Sequence, residues 1–127
     1  MNRYIRLLIT IAAAAALTIV SVQAEPSQRA QALFDNLMAA TISNDYNAFV
    51  AQCDAGMAAA ITKQMLEGVS QQIGPRAKKG YELQYLGELN QQAHVVHLWR
   101  VRFKDGKDDV LATLSVKDGK AGGFFLK

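Results

Sequence analysis

The chain has 127 residues, half of them hydrophobic and 20% charged, with 14 Lys and Arg against 11 Asp and Glu and a formal net charge of +3. That length is one domain's worth and can bury a single core without staples. The one cysteine, Cys53, excludes an internal disulfide.

At the start, Arg3 and Arg6 precede an apolar run from Leu7 to Val20, and the small residues Val22 and Ala24 stand before Glu25-Pro26. A positive start, a short apolar stretch and small residues at the −3 and −1 positions describe a secretory signal peptide, residues 1–24, cut after Ala24. The run is shorter than the roughly 20 apolar residues of a membrane span, so no stable span is expected after cleavage. The mature domain, residues 25–127, is expected in the periplasm or outside the cell. Cleavage removes Arg3 and Arg6, leaving 12 basic residues against 11 acids, a net charge of about +1. Bulk charge of that size does not favour nucleic acid or an anionic membrane as a partner.

In residues 26–42 the apolar side chains Ala30, Leu33, Phe34, Leu37, Met38 and Ile42 recur at helical spacing, with Pro26 suited to a first turn. Ser43-Asn44-Asp45 breaks and recaps the chain, and a short helix from Tyr46 to Gln52 is expected next. Cys53 ends that apolar stretch and reads as a buried thiol. Asp54-Ala55-Gly56 reads as a second break. A third helix carries Ile61, Met65, Leu66, Val69 and Ile73, and Gly74-Pro75 is expected to stop it. The basic cluster Arg76, Lys78 and Lys79 then reads as a solvated loop.

After Lys79 the apolar period changes from helical to alternating. Tyr81 to Leu89 reads as a strand, with Gly87 marking a bulge or bend. Val95 to Phe103 reads as a second strand, and two Asp-Gly turns, Asp105-Gly106 and Asp118-Gly119, announce hairpins. The expected fold is α+β: about three N-terminal helices packed on one face of a curved, four-stranded antiparallel meander.

Register then separates the two histidines. On a strand, residues three apart point to opposite faces, so His94 and His97 do not form a metal pair. A turn at Asp105-Gly106 pairs Val101 with Val110, Trp99 with Ala112, His97 with Leu114 and Val95 with Val116, which puts apolar residues of both strands on one face. A loop at Asn90-Gln91-Gln92 pairs Tyr85 with His97. The last turn pairs Phe125 with Ala112 and leaves Phe124 and Leu126 outside. With Leu86, Val96, Leu98 and Leu111 they make an apolar outer face suited to a partner or a second copy of the chain.

The stretch "LFDNLMAATISNDYNAFVAQCDAGMAAAITKQMLEGVSQQIG", followed by a meander closing in "LSVKDGKAGGFFL", resembles the nuclear transport factor 2-like, cystatin-like superfamily. Within it the chain is most similar to small domains of unknown function, secreted alone or placed before α/β hydrolases. The resemblance implies a cone with a cavity between sheet and helices, used in the family for ligands, catalysis or dimer contacts. Its wall would be Tyr81, Tyr85, His97, Trp99 and Leu114 from the sheet, and Phe34, Met38, Tyr46 and Phe49 from the helices.

His97 is the one ionisable residue on the apolar face of its strand, and three readings are open for it. It is a core histidine bonded to Tyr85, backbone or water, a polar group that orients a ligand, or a general base. The isomerase, dehydratase or cyclase chemistry that the resemblance suggests needs a carboxylate or histidine base opposite donors in an apolar cavity. The acids here fall at turns, helix starts and the polar strand face, which argues against it. No catalytic residue, metal or cofactor is therefore assigned. Non-catalytic binding of a small apolar ligand or protein partner is expected, with a cavity enzyme or a dimerising domain as alternatives.

Overall fold

Four short polar side chains start the four helices. Ser27 accepts the Ala30 N–H at 3.1 Å, Asp45 that of Ala48 at 3.0 Å, Asp54 that of Met57 at 2.8 Å and Thr62 that of Met65 at 3.1 Å. Each satisfies a backbone donor that has no partner within its own helix. The computed structural model describes residues 25–127, and the predicted signal peptide lies outside the described residues. The elements are α1 (Gln28–Ser43), α2 (Tyr46–Ala51), α3 (Ala55–Ala60), α4 (Lys63–Lys78), β1 (Tyr81–Gln91), β2 (His94–Phe103), β3 (Val110–Lys117) and β4 (Lys120–Leu126).

The α+β architecture is the expected one, with two departures among the helices. Asp54-Ala55-Gly56 is the cap and first turn of α3, an extra helix, rather than a plain break. Gly74-Pro75 does not stop α4, which runs on through Lys78. Proline lacks only one donor there, close to the helix end. Gly74 lies against α1, where an added Cβ would sit 3.5 Å from the Ile42 carbonyl oxygen, so packing holds the last turn in place.

That extension changes the role of the basic cluster. Arg76 is not in a solvated loop: it donates to Asp105 at 2.6 Å and to the Asp108 carbonyl at 2.7 Å, and lies 4.3 Å above the Phe103 ring. Helix α4 is thereby tied to the β2–β3 turn. The Arg76 guanidinium holds the Asp105 carboxyl down at about 2, so the ion pair persists through the acid range in which carboxylates ordinarily protonate.

The sheet is an antiparallel meander in the order β1-β2-β3-β4. Between β2 and β3 the pairing is the predicted one: Val95 with Val116, His97 with Leu114, Trp99 with Ala112 and Val101 with Val110. The flanking hairpins differ. Gln92 and Ala93 both take positive φ, 50° and 64°, making a tight two-residue turn that neither residue type announces. With a bulge between Tyr85 and Gly87, Tyr85 pairs with Trp99 and Glu88 with His97, instead of Tyr85 with His97. A second bulge inserts Gly122, so Ala112 pairs with Leu126, Thr113 with Phe125 and Leu114 with Phe124. That one-residue slip turns Phe124 and Leu126 inward and Phe125 outward, the reverse of the sequence expectation.

The core lies between α1 and the inner sheet face. Phe34 is 0% exposed and stacks on Trp99 at 4.4 Å, with Phe124 edge-on to Phe34 at 6.0 Å. Leu37, Met38, Leu66, Val101, Ala112 and Leu114 close around these rings. Truncating a fully buried aromatic costs transfer energy and leaves a cavity. Phe34→Ala is expected to lower unfolding free energy by about 3–5 kcal/mol. Urea denaturation followed by Trp99 fluorescence measures this, and a change below about 1 kcal/mol would contradict the central place given to the stack.

Candidate functional site

Strand β2 sends its odd residues to the core and its even residues outward, so His97 and His94 point to opposite faces. Among the described residues no three His, Cys, Asp or Glu side chains are grouped as metal ligands would be. His97 is 7% exposed. Its Nδ1 lies 2.8 Å from the Tyr85 hydroxyl and 4.0 Å from the Glu88 carboxylate. Burial lowers the His97 pKa, against an opposing pull from Glu88. The Tyr85 hydroxyl and Nδ1 share this hydrogen bond, its direction following the ring tautomer, and burial followed by Glu88 raises the tyrosine's own pKa.

The structure brings together five of the predicted wall residues. His97 lies 5.9 Å from the Trp99 ring and Tyr85 meets Trp99 edge-on at 5.3 Å, while Phe34 stacks on Trp99 and Leu114 pairs with His97. Tyr81 sits further along, tilted on Phe103 at 5.8 Å. Tyr46 is apart on α2, donating to the Ile61 carbonyl at 3.1 Å. Met38 is core. These contacts make a packed cluster: Phe34, Met38, Trp99 and Leu114 are at most 1% exposed. The predicted cavity wall around His97 is thus a filled interior, because the stacked rings occupy the space between α1 and β2.

An open cavity of about 410 Å³ lies elsewhere, between α3, α4 and β4, and of the predicted residues Phe49 alone lines it. Its helical wall is Met57, Ala60, Ile61, Met65, Leu66 and Val69. Its sheet wall is Phe124, Phe125 and Leu126, with Gly122 and Gly123 beside them. Thr41 is the one polar side chain in the lining, and its hydroxyl donates to the Leu37 carbonyl at 2.8 Å. No titratable side chain lines the cavity. Met65 is 53% exposed and Val69 39%, at its rim.

The sequence did carry a signal for this wall. Helix α4 has two apolar stripes: Leu66 and Ile73 are buried, while Met65 and Val69, one turn apart, form a neighbouring stripe in the cavity. A stripe that wide exceeds what one contact against α1 can cover. The inward turn of Phe124 and Leu126 follows from the Gly122 bulge, which alternation alone does not show.

The crystal structure, at 1.90 Å resolution, of an uncharacterized cystatin-fold protein from Novosphingobium aromaticivorans is similar to this chain. The two share 12% identity with a TM-score of 0.37, over 76% of this chain and 95% of the other. No family model and no curated protein matches the chain. The α+β assignment rests on this chain's own helices and antiparallel sheet.

Cys53 is buried and its thiol donates to the Phe49 carbonyl at 3.3 Å. Burial, then Asp54, pushes its pKa up to about 11, so it is a poor nucleophile at neutral pH. His97 has the opposite consequence for pH. Its folded pKa lies below the unfolded value, so the native state prefers the neutral ring and the unfolded state takes up the proton first. The stabilisation is present above about pH 6.5 and is lost as pH falls from there through the folded pKa. Melting temperature measured between pH 8 and pH 5 is expected to fall on acidification in the wild type and less steeply in His97→Gln. Parallel curves would show that His97 does not titrate on unfolding.

Proposed function

We propose that this chain is a secreted or periplasmic, non-catalytic binding domain of the nuclear transport factor 2-like kind. Its ligand is a small apolar molecule or an apolar segment of a partner protein, held in the cavity between α3, α4 and β4. The observation that carries the reading is the lining itself: aliphatic, aromatic and methionine side chains around about 410 Å³, with the single hydroxyl already bonded. Cavities of roughly 300–1,000 Å³ with apolar walls suit ligand burial, and methionines adapt to ligands of varied shape. Acid–base catalysis needs a titratable group at the reacting atoms, and the lining holds none. His97, the best such group in the chain, is enclosed in the Phe34–Trp99 cluster.

A second reading is favoured by the outer sheet face. Leu89, Leu111 and Phe125 are exposed there with Leu98 half-buried between them, an apolar patch that a second copy of the chain would cover. Sedimentation across a wide concentration range tests it, and a monomer throughout would rule it out.

Met65→Lys and Val69→Lys change rim residues without opening the core. Binding of a long-chain fatty acid or a fluorescent apolar probe is expected to be saturable in the wild type and weakened at least about tenfold in the double variant. Unfolding free energy is expected to stay within about 0.5 kcal/mol, as for other surface changes. Absence of saturable binding to the wild type would remove the small-ligand form of the proposal. Native mass spectrometry of protein taken from its own envelope is expected to give the mass of residues 25–127, with an apolar adduct displaced by the probe.

A further inference from the structure

The two edges of the sheet are built differently. The β1 edge sets Glu82, Gln84 and Glu88 among the exposed Leu83, Leu86 and Leu89, and is bent by the bulge at Tyr85/Gly87. Charges and bulges are the usual means of keeping other strands off an edge. The β4 edge ends in Gly122-Gly123-Phe124-Phe125-Leu126 and carries neither a charge nor a proline over that stretch. It faces the apolar cavity.

Its backbone is also partly unpaired. Leu111 and Lys127 exchange both hydrogen bonds, at 2.8 and 2.9 Å. In an antiparallel ladder bonded and non-bonded pairs alternate, so Thr113–Phe125 and Ser115–Gly123 are bonded pairs. The N–H and C=O of Phe124 and Leu126 therefore point away from β3, toward the free edge. Among the described residues no turn, loop or cap backbone bond satisfies them.

The same edge already takes an extended segment of this chain. Ala121 donates its N–H to the Gln52 carbonyl at 2.8 Å and accepts the Asp54 N–H at 2.8 Å, forming a parallel bridge between Cys53 and Ala121. Asp54 then caps α3, which runs on beside β4 as one wall of the cavity, and past Ala121 no further backbone bridge to the edge forms among the described residues.

We infer that an extended apolar peptide segment of a partner protein adds to β4 as a further strand. It bonds to the backbone of Phe124 and Leu126 and places alternate apolar side chains into the cavity. The inference rests on the binding reading of that cavity and names its occupant. Phe124 and Leu126 are about 7 Å apart along the strand, the two-residue repeat of a paired segment. Side chains opposite them share the inner face, so they meet Met57, Ile61, Met65 and Leu66. The residue between them lies outside, beside Phe125. A small apolar molecule would fill the same walls and leave the four edge groups to water, whereas a strand satisfies walls and edge together.

The test uses the mature chain and a capped peptide alternating Val and Thr, with a copy N-methylated at the amides that would face β4. The parent is expected to bind saturably and the N-methylated copy at least about tenfold more weakly, through lost backbone bonds. Leu126→Pro removes an edge N–H not used by the β3–β4 ladder. It is expected to weaken peptide binding beyond Leu126→Ala, which shortens the side chain and keeps the edge N–H. The two peptides need only wild-type protein, so this arm stands if the proline variant does not fold. Equal binding of both peptides overturns strand addition and leaves the cavity reading intact, as does probe binding without peptide binding. Binding of neither probe nor peptide overturns both. A dimer that Leu126→Pro dissociates, with no peptide bound, assigns the edge to a second copy and overturns the partner segment.

Discussion

Everything at the open end of this domain depends on one extra residue in β4. Gly122 has no partner on β3, and its insertion shifts the pairing so that Leu114 meets Phe124 and Ala112 meets Leu126. An added Cβ at Gly122 would come within 3.2 Å of the Asp54 carboxylate, the group that caps α3. Bulge, cap and bridge thus occupy one small volume, and glycine is the residue that lets them share it. With the slip, Phe124 reaches Phe34 and Phe49, at 6.0 and 6.1 Å, and closes the core from the β4 side. Without it the same residue would stand in solvent and Phe125 would turn inward.

The bulge also explains which parts of the fold were legible in the sequence. The β2–β3 register follows from apolar alternation on two strands symmetric about Asp105-Gly106, and alternation is a strong constraint when one face is buried. The β1–β2 and β3–β4 registers each contain a bulge, and a bulge shifts the pairing without altering the alternation on either side. The Gln92-Ala93 turn uses positive φ at two residues that carry no preference for it, so its chemistry was silent. Of the helix starts, that of α2 was visible in Ser43-Asn44-Asp45, while Asp54 read as a break and proved to be a cap. The end of α4 was not, since the close approach of Gly74 to α1 is a tertiary fact that outweighs a local stop signal.

The candidate site divides along the same line. His97 was legible as the lone ionisable residue on an apolar face, and its neighbours Tyr85, Trp99 and Leu114 were named from the sequence. What the sequence could not convey was fill. Phe34 and Trp99 lie 4.4 Å apart, and that distance leaves no room for a ligand between α1 and β2. A polar ring held there costs desolvation, and the Tyr85 hydroxyl offsets part of that cost by supplying the bond that water would have made. His97 is in this sense a constraint on the register of β1 against β2. The bulge carries Glu88 to the same face, close enough to keep some attraction for a proton.

The contrast between the two ends of the sheet then bears on function. Around Trp99 the domain uses its rings for stability: side chains fully buried, polar atoms paired, no space left. Around Phe124 it leaves Met65, Val69 and Phe125 more than a third exposed and a backbone edge half paired. Exposed apolar surface next to open strand donors is a hazard in a freely diffusing protein, and soluble domains ordinarily blunt it with charge or proline. At β1 the charges of Glu82 and Glu88 stand among the exposed Leu83, Leu86 and Leu89, whereas the Gly122–Leu126 stretch of β4 carries no charge and no proline. An uncharged strand edge beside an apolar cavity is the combination on which the inferred strand addition at β4 rests.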